Sequence, residues 1–140
     1  MSIIENIKNY ISTCPLLKGE NINVNYLGAY PVSYTIDNLP EIPVIRRYCD
    51  GGTLRQYCFA FASRDGYDSN SIENMRVAEF FENFAAWIDE QNKNGVLPEM
   101  PDKKLIPEKI EVIKSGYVYD TARTSARFQV QLRLVYRQEV

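Results

Sequence analysis

The side chains able to do chemistry are few, and their spacing does not assemble a catalytic group. The chain of 140 residues has no histidine, so neither a Ser-His-Asp triad nor a Cys-His pair can be built. A lysine or a carboxylate is the remaining class of general base. No carboxylate pair sits within an apolar run, where burial would raise a pKa. Glu79, Glu82, Asp89 and Glu90 lie together on the polar side of a helical repeat and read as a solvated surface. Cys14, Cys49 and Cys58 lack metal-ligand spacing and read as reduced thiols of a cytosolic product. Gly51-Gly52 joins two strand-like segments, not a strand and a helix, so it reads as a hairpin turn and not as a phosphate cradle. No glycine-rich phosphate loop and no GxGxxG is present. The expectation is a non-enzyme with no cofactor and no metal site.

What remains is charge and aromatic surface. From Asp68 to Glu111 there are ten acidic and five basic residues, a net of −5. From Thr121 to Gln138 there are four arginines and no acids, a net of +4, and residues 43–64 carry a net of +3. A subunit with an acidic helix and basic strands suits head-to-tail association, which closes into a ring when the rotation divides a full turn. The candidate interface residues are Arg123, Arg127, Arg133 and Arg137 on the basic side and Glu79 and Glu82 on the acidic side. Tyr117 and Tyr119, near a strand end, join them as exposed contacts. Charge reversal at Arg133 or Arg137 is expected to weaken assembly more than folding. The alternative is charge segregation with no partner.

These residues need elements to hold them. Ser2 and Glu5 form a capping box for a first helix with Ile3, Ile4, Ile7, Tyr10 and Ile11 on one face, stopped by Pro15. Short strands are predicted at Asn23–Leu27 and Val32–Ile36, with a turn at Gly28. Pro40 and Pro43 stiffen the connector that follows. Val44–Asp50 and Thr53–Arg64 read as a hairpin closed by Gly51-Gly52, which sets Val44 opposite Phe59, Arg46 opposite Tyr57, Cys49 opposite Leu54 and Cys58 opposite Ile45. In the second strand Tyr57, Phe59 and Phe61 face one way and Cys58, Ala60 and Ala62 the other. Two apolar faces mark a central strand covered on both sides, one of them closely.

A second helix starts near Asn70, with Glu73 as its box partner. It carries Val77, Phe80, Phe81, Phe84, Ala85, Trp87 and Ile88 on one stripe. Asn94-Gly95 ends it. Residues 93–108 read as a proline-rich loop. Strands at Lys109–Tyr119 and Ser125–Gln138 follow, the last with Phe128, Val130, Leu132, Leu134 and Tyr136 alternating against Gln129, Gln131, Arg133 and Arg137. The predicted fold class is α+β: residues 1–140 as one domain, with a mostly antiparallel, or mixed, sheet and two amphipathic helices packed on one face. The net charge of −2 argues against a general nucleic-acid binder. The N-terminal residues MSIIENIKNYIS, interrupted by Glu5 and Lys8, do not read as a signal peptide. No apolar run reaches the ~20 residues that span a bilayer, so no membrane partner is expected.

Four ordered blocks carry a resemblance: GENINVNYLGAYPVSYTID, PVIRRYCDGGTLRQYCFAFASRDGYD, FFENFAAWIDEQNKNGVLP and SGYVYDTARTSARFQVQLRLVYRQE. Together, from Gly19 to Glu139, they resemble the minor capsid or tail terminator (head–tail joining) proteins of tailed phages and prophages of Gram-positive bacteria. The resemblance implies a ring-forming α+β subunit, commonly a hexamer, in the virion at the head–tail junction and in the host cytoplasm during assembly. It implies as partners further copies of the chain, the tail-tube protein and a head-completion or connector protein, with DNA passing through the lumen. Two other classes stay open on the residues alone. A small-ligand-binding domain or an enzyme without a histidine base needs a deep apolar pocket with convergent polar groups. A single-strand nucleic-acid binder needs aromatics exposed on a basic sheet face.

Overall fold

The computed structural model describes residues 2–17, 22–24, 33–66, 71–121 and 125–140, and their side chains except at 23, 24, 33, 64–66, 71–78, 115–121 and 125–128. The turn predicted at Gly28, the cap predicted around Asn70, and the Phe128 and Val77 side chains lie outside that description.

Helix α1 (Ile3–Ile11) begins where Ser2 Oγ accepts the Glu5 N–H at 3.2 Å, which satisfies one donor left open by the first turn. Ile7 and Ile11 are fully buried and Tyr10 nearly so, so the predicted stripe faces the core. The helix stops at Ile11. Pro15 opens a 3-10 turn over Pro15–Leu17, a place where its missing N–H is no loss. Helix α2 (Ser71–Lys93) ends in a Schellman motif. The Gly95 N–H donates to Asn92 O at 3.1 Å and the Val96 N–H to Gln91 O at 2.9 Å. Gly95 has φ +70°, the left-handed conformation this cap requires.

The strands are β1 (Ile22–Val24), β2 (Ser33–Asn38), β3 (Val44–Arg47), β4 (Thr53–Gly66), β5 (Leu105–Thr121) and β6 (Ser125–Gln138). They form one sheet in the order β1-β2-β4-β6-β5, with β3 also on β4. All pairs are antiparallel except β1 with β2. The fold is α+β with a mixed, mostly antiparallel sheet. Strand β4 is central, as its two apolar faces required. β6 runs along its whole length, while the opposite edge is shared by β2 against residues 59–64 and β3 against residues 53–55. Between β2 and β3 the chain stays on that edge: the Leu39 N–H donates to Cys58 O at 3.1 Å and the Gln56 N–H to Pro43 O at 2.9 Å. β2 and β3 are therefore one path along β4, interrupted where Pro40 and Pro43 cannot donate.

One face of the sheet presents Ile36, Phe59, Phe61, Ile110, Val130, Leu132 and Leu134, all with no exposed surface. Both helices bury their stripes in the same cluster. Phe61 stacks on Phe84 with ring centroids 4.7 Å apart and planes at 11°, and meets Phe81 edge-on at 6.5 Å. Tyr10 of α1 touches Trp87 of α2 at 5.6 Å, and its hydroxyl donates to Val96 O at 2.9 Å. On the other face Ala60 and Ala62 are also buried. Among the described residues no second layer lies there. Their neighbours across the ladder are Gln131 and Gln129 of β6 and Asp37 and Thr35 of β2, of which Gln129 and Thr35 are buried as well.

Three sequence-based expectations are corrected. The hairpin register is shifted: Val44 pairs with Arg55, Arg46 with Leu54 and Arg47 with Thr53, with a bulge between Val44 and Arg46. The cause is the turn, which takes five residues and not two. The Tyr48 N–H donates to Gly52 O at 2.8 Å, and Asp50 Oδ1 accepts the Gly52 N–H at 2.9 Å, an Asx-type closure that competes with a primed turn. Gly51 supplies the positive φ, +93°. Secondly, the proline-rich loop is shorter than residues 93–108, because β5 starts at Leu105 and Pro107 pairs with Tyr136. An edge strand accepts a proline whose nitrogen points away from its neighbour. Thirdly, β5 is longer than Lys109–Tyr119. It slips register four times against β6, and each bulge breaks the alternation that marks a strand in sequence.

The outer edge of β5 is held by a side chain. Asn92 Oδ1 accepts the Ile110 N–H at 2.9 Å, and Asn92 Nδ2 donates to the Ile110 carbonyl. The amide does for Ile110 what another strand would do, fastening the end of α2 to the sheet and covering part of an open edge. Asn92→Ala leaves both groups of a buried residue unpaired and is expected to cost about 1–3 kcal/mol. Urea denaturation measures this directly; a variant as stable as the parent would show that the pairing does not hold the helix.

Candidate functional site

Arg133 is the best-defined of the predicted interface residues. Across three strands, Cys58, Arg133 and Glu111 stand in one row, on the sheet face away from the helices. Arg133 Nε donates to Glu111 Oε1 at 2.7 Å, and its Nη2 donates to the same oxygen. Nη1 reaches Gln56 Oε1 at 3.3 Å. Lys109 Nζ lies 3.6 Å from Glu111 Oε2. Arg137 pairs with Glu108 at 3.9 Å and with Glu139 at 3.3 Å. Val135, between the two arginines on the same face, is buried beside their aliphatic stems. The excess of arginine in the last strand is therefore matched where β5 lies beside it. Glu108 and Glu111 belong to the acidic stretch of the sequence, and strand pairing brings them to Arg137 and Arg133.

Charge reversal at Arg133 would set a carboxylate against Glu111, so it disturbs the sheet as well as any partner contact. Glu79 and Glu82 are exposed on α2, in the layer on the other side of the sheet. They do not meet Arg133 or Arg137 within the subunit. Arg123 and the side chains of Arg127, Tyr117 and Tyr119 lie outside the described residues; the register sets Tyr117 opposite Gln129 and Asp120 opposite Arg127.

Burial works against reactivity at Cys14, Cys58 and Tyr10. Burial pushes the Cys14 thiol up. It also raises that of Cys58, with Glu41 adding to the effect and Arg133 opposing it. Both changes lower the thiolate fraction on which nucleophilicity depends. The Tyr10 hydroxyl is pushed up to about 12, chiefly by burial. All three cysteines are free, and Cys49 is exposed in the turn between β3 and β4. No cluster of three or more metal-ligating side chains occurs among the described residues, and none of the described helices is long and apolar enough to cross a membrane.

Sequence reasoning missed the end of the sheet where β3, its turn and the C-terminus meet. Ile42 is 77% exposed, Val140 74%, Ile45 45% and Tyr48 39%. Arg46 and Arg47 are exposed among them. An open trough of about 800 Å³ runs between Tyr48–Asp50 and Arg137–Val140. The predicted hairpin register hid this surface, since it set Val44 against the core residue Phe59. The usable signal was the pair of prolines at 40 and 43, which prevents a regular strand from running into the turn.

No protein-family model matches the chain, and no curated protein matches it.

Arg133 and Glu111 are each about one-third exposed, at 34% and 32%, so the pair is solvent-screened. A double-mutant cycle with Arg133→Met and Glu111→Gln is expected to give a coupling of about 0.5–1 kcal/mol at low salt, falling as salt rises. Zero coupling at low salt would mean that the arginine is not engaged by this carboxylate.

Proposed function

We propose that this chain is a structural subunit of a phage or prophage virion. It assembles with further copies of itself into a ring, commonly a hexamer, that caps the tail tube, ends its polymerisation and offers a surface to the head-completion or connector protein. Its places are the head–tail junction of the virion and, during assembly, the host cytoplasm. It turns over no substrate and needs no cofactor; DNA passes through the lumen of the ring. The reading draws on the resemblance over Gly19 to Glu139, whose blocks include all of β4 and β6 and α2 from Phe80 onward.

The observation that carries it is the exposed apolar end of the sheet. Ile42, Ile45, Tyr48 and Val140 stand in solvent beside the exposed cations Arg46 and Arg47. Apolar side chains grouped at one end of a small domain, interleaved with arginine, suit a protein contact. A ligand-binding reading would draw on an enclosed apolar chamber, whereas the depressions beside the β3 turn and on α2 are open troughs with charged side chains in their lining.

Mixing the purified chain with a cognate tail-tube protein tests the reading. Native mass spectrometry is expected to show a defined ring, and negative-stain microscopy shorter tubes closed at one end. A strict monomer at every concentration, with no effect on tube length, would contradict it.

A further inference from the structure

We propose that the β3 arm of one copy docks on the outer face of α2 of a second copy, with Arg46 and Arg47 meeting Asp89 and Glu90. The inference rests on the ring reading above and names the contact that would build the ring.

The two surfaces are unsatisfied in complementary ways. Arg46 and Arg47 are exposed and have no ion pair among the described residues. This sets them apart from Arg133 and Arg137, whose charges are matched within the sheet. Among the described residues β3 pairs with β4 alone, which leaves its far edge for contact. The bulge between Val44 and Arg46 makes Ile45 the extra residue, and it stands 45% exposed. The arm thus presents an apolar knob followed by two free cations, which as successive strand residues lie on opposite faces of the edge.

The outer face of α2 offers the counterpart. Asp89 and Glu90 are exposed and unpaired among the described residues, as are Glu82 and Glu79, about two and three turns earlier. Ala86 lies between them, itself exposed. Its short side chain leaves an open trough of about 400 Å³, lined also by Asp89, Glu90 and Lys93. An apolar knob seated over Ala86 brings the cations that follow it to the carboxylates one turn away, at i+3 and i+4.

The sheet order explains why the occupant is another copy. β3 flanks β4 on the side of β2, whereas α2 is tied at its end to β5, the opposite edge. A subunit's own arm and helix are held apart by the width of the sheet, so the match is made between molecules. Two different patches, one on a sheet edge and one on the outside of the helix layer, give a heterologous contact, the kind that closes into rings. Free charges that pair at an interface contribute mainly to encounter rate and register, and they lose effect with salt.

Charge exchange tests this. Arg46→Glu with Arg47→Glu, and separately Asp89→Arg with Glu90→Arg, are each expected to weaken assembly roughly tenfold or more while melting within a few degrees of the parent. Combining all four substitutions in one chain restores opposite charges across the contact and is expected to recover assembly. Sedimentation velocity, with tube protein added where the chain alone stays small, reads both results. Pairwise variants that assemble like the parent, or a four-fold variant no better than they are, would overturn the docking while leaving the ring reading standing. A parent chain that never assembles, with or without tube protein, would overturn both. Should a variant fail to fold, the salt dependence of the parent decides: assembly that is unchanged or strengthened by salt contradicts the charged contact.

Discussion

The stack of Phe61 on Phe84 joins the two layers of this protein. Phe61 sits at the middle of the central strand, with Ile36 and Val130 opposite it on the two flanking strands. Phe84 sits on the buried stripe of α2. Their rings are nearly parallel at 4.7 Å, and Phe81 and Tyr34 approach Phe61 at 6.5 and 5.7 Å. Such contacts between rings add to the burial of area. Because β4 pairs directly with β2, β3 and β6, anything that fixes Phe61 also fixes most of the sheet. The opposite face obeys the reverse demand. Ala60 and Ala62 are small side chains that are buried as well, so β4 is tolerant on neither side.

How much of this was legible depended on whether a regular period ran unbroken. The alternation of β6 and the stripes of α1 and α2 were readable because each residue's face follows from its position. Gly95 announced its cap because few other residues take that backbone conformation without strain. β4 was identified as central from its own composition. The tip of the hairpin was not readable, since Asp50 closes the turn through its side chain and two glycines in a row suggested a shorter one. β5 was misjudged at both ends for a related reason. Pro107 argues against a strand until it is known that the strand lies at an edge. Ile113, 48% exposed, is the extra residue of a bulge between Val112 and Lys114, so the apolar pattern after it no longer keeps to one face. No local pattern records a bulge that exists only relative to a partner.

The candidate interface was harder still, because charge in sequence is not charge in space. Counting residues along the chain made the last strand strongly basic. Folding sets Glu111 and Glu108 on the adjacent strand beside Arg133 and Arg137, and much of that excess disappears. Arg46 and Arg47 are among the described cations without an ion pair, and they sit on a short arm that takes little from the core and is exposed along most of its length. The acidic character of α2 survives folding intact, since Glu79, Glu82, Asp89 and Glu90 point away from the stripe that Phe81, Phe84 and Ile88 bury. The same amphipathic pattern that docks the helix on the sheet thus determines which charges are left for a partner.

The account rests on the layers being joined through the Phe61–Phe84 contact. The direct measurement is a double-mutant cycle in equilibrium unfolding, with Phe61→Leu, Phe84→Leu and the pair together. The structure predicts a coupling of about 0.5–1.5 kcal/mol between the rings, as for stacked aromatics elsewhere. Strictly additive losses would contradict it, since they would mean that each ring contributes only its own buried area and that the helix is held to the sheet by other contacts.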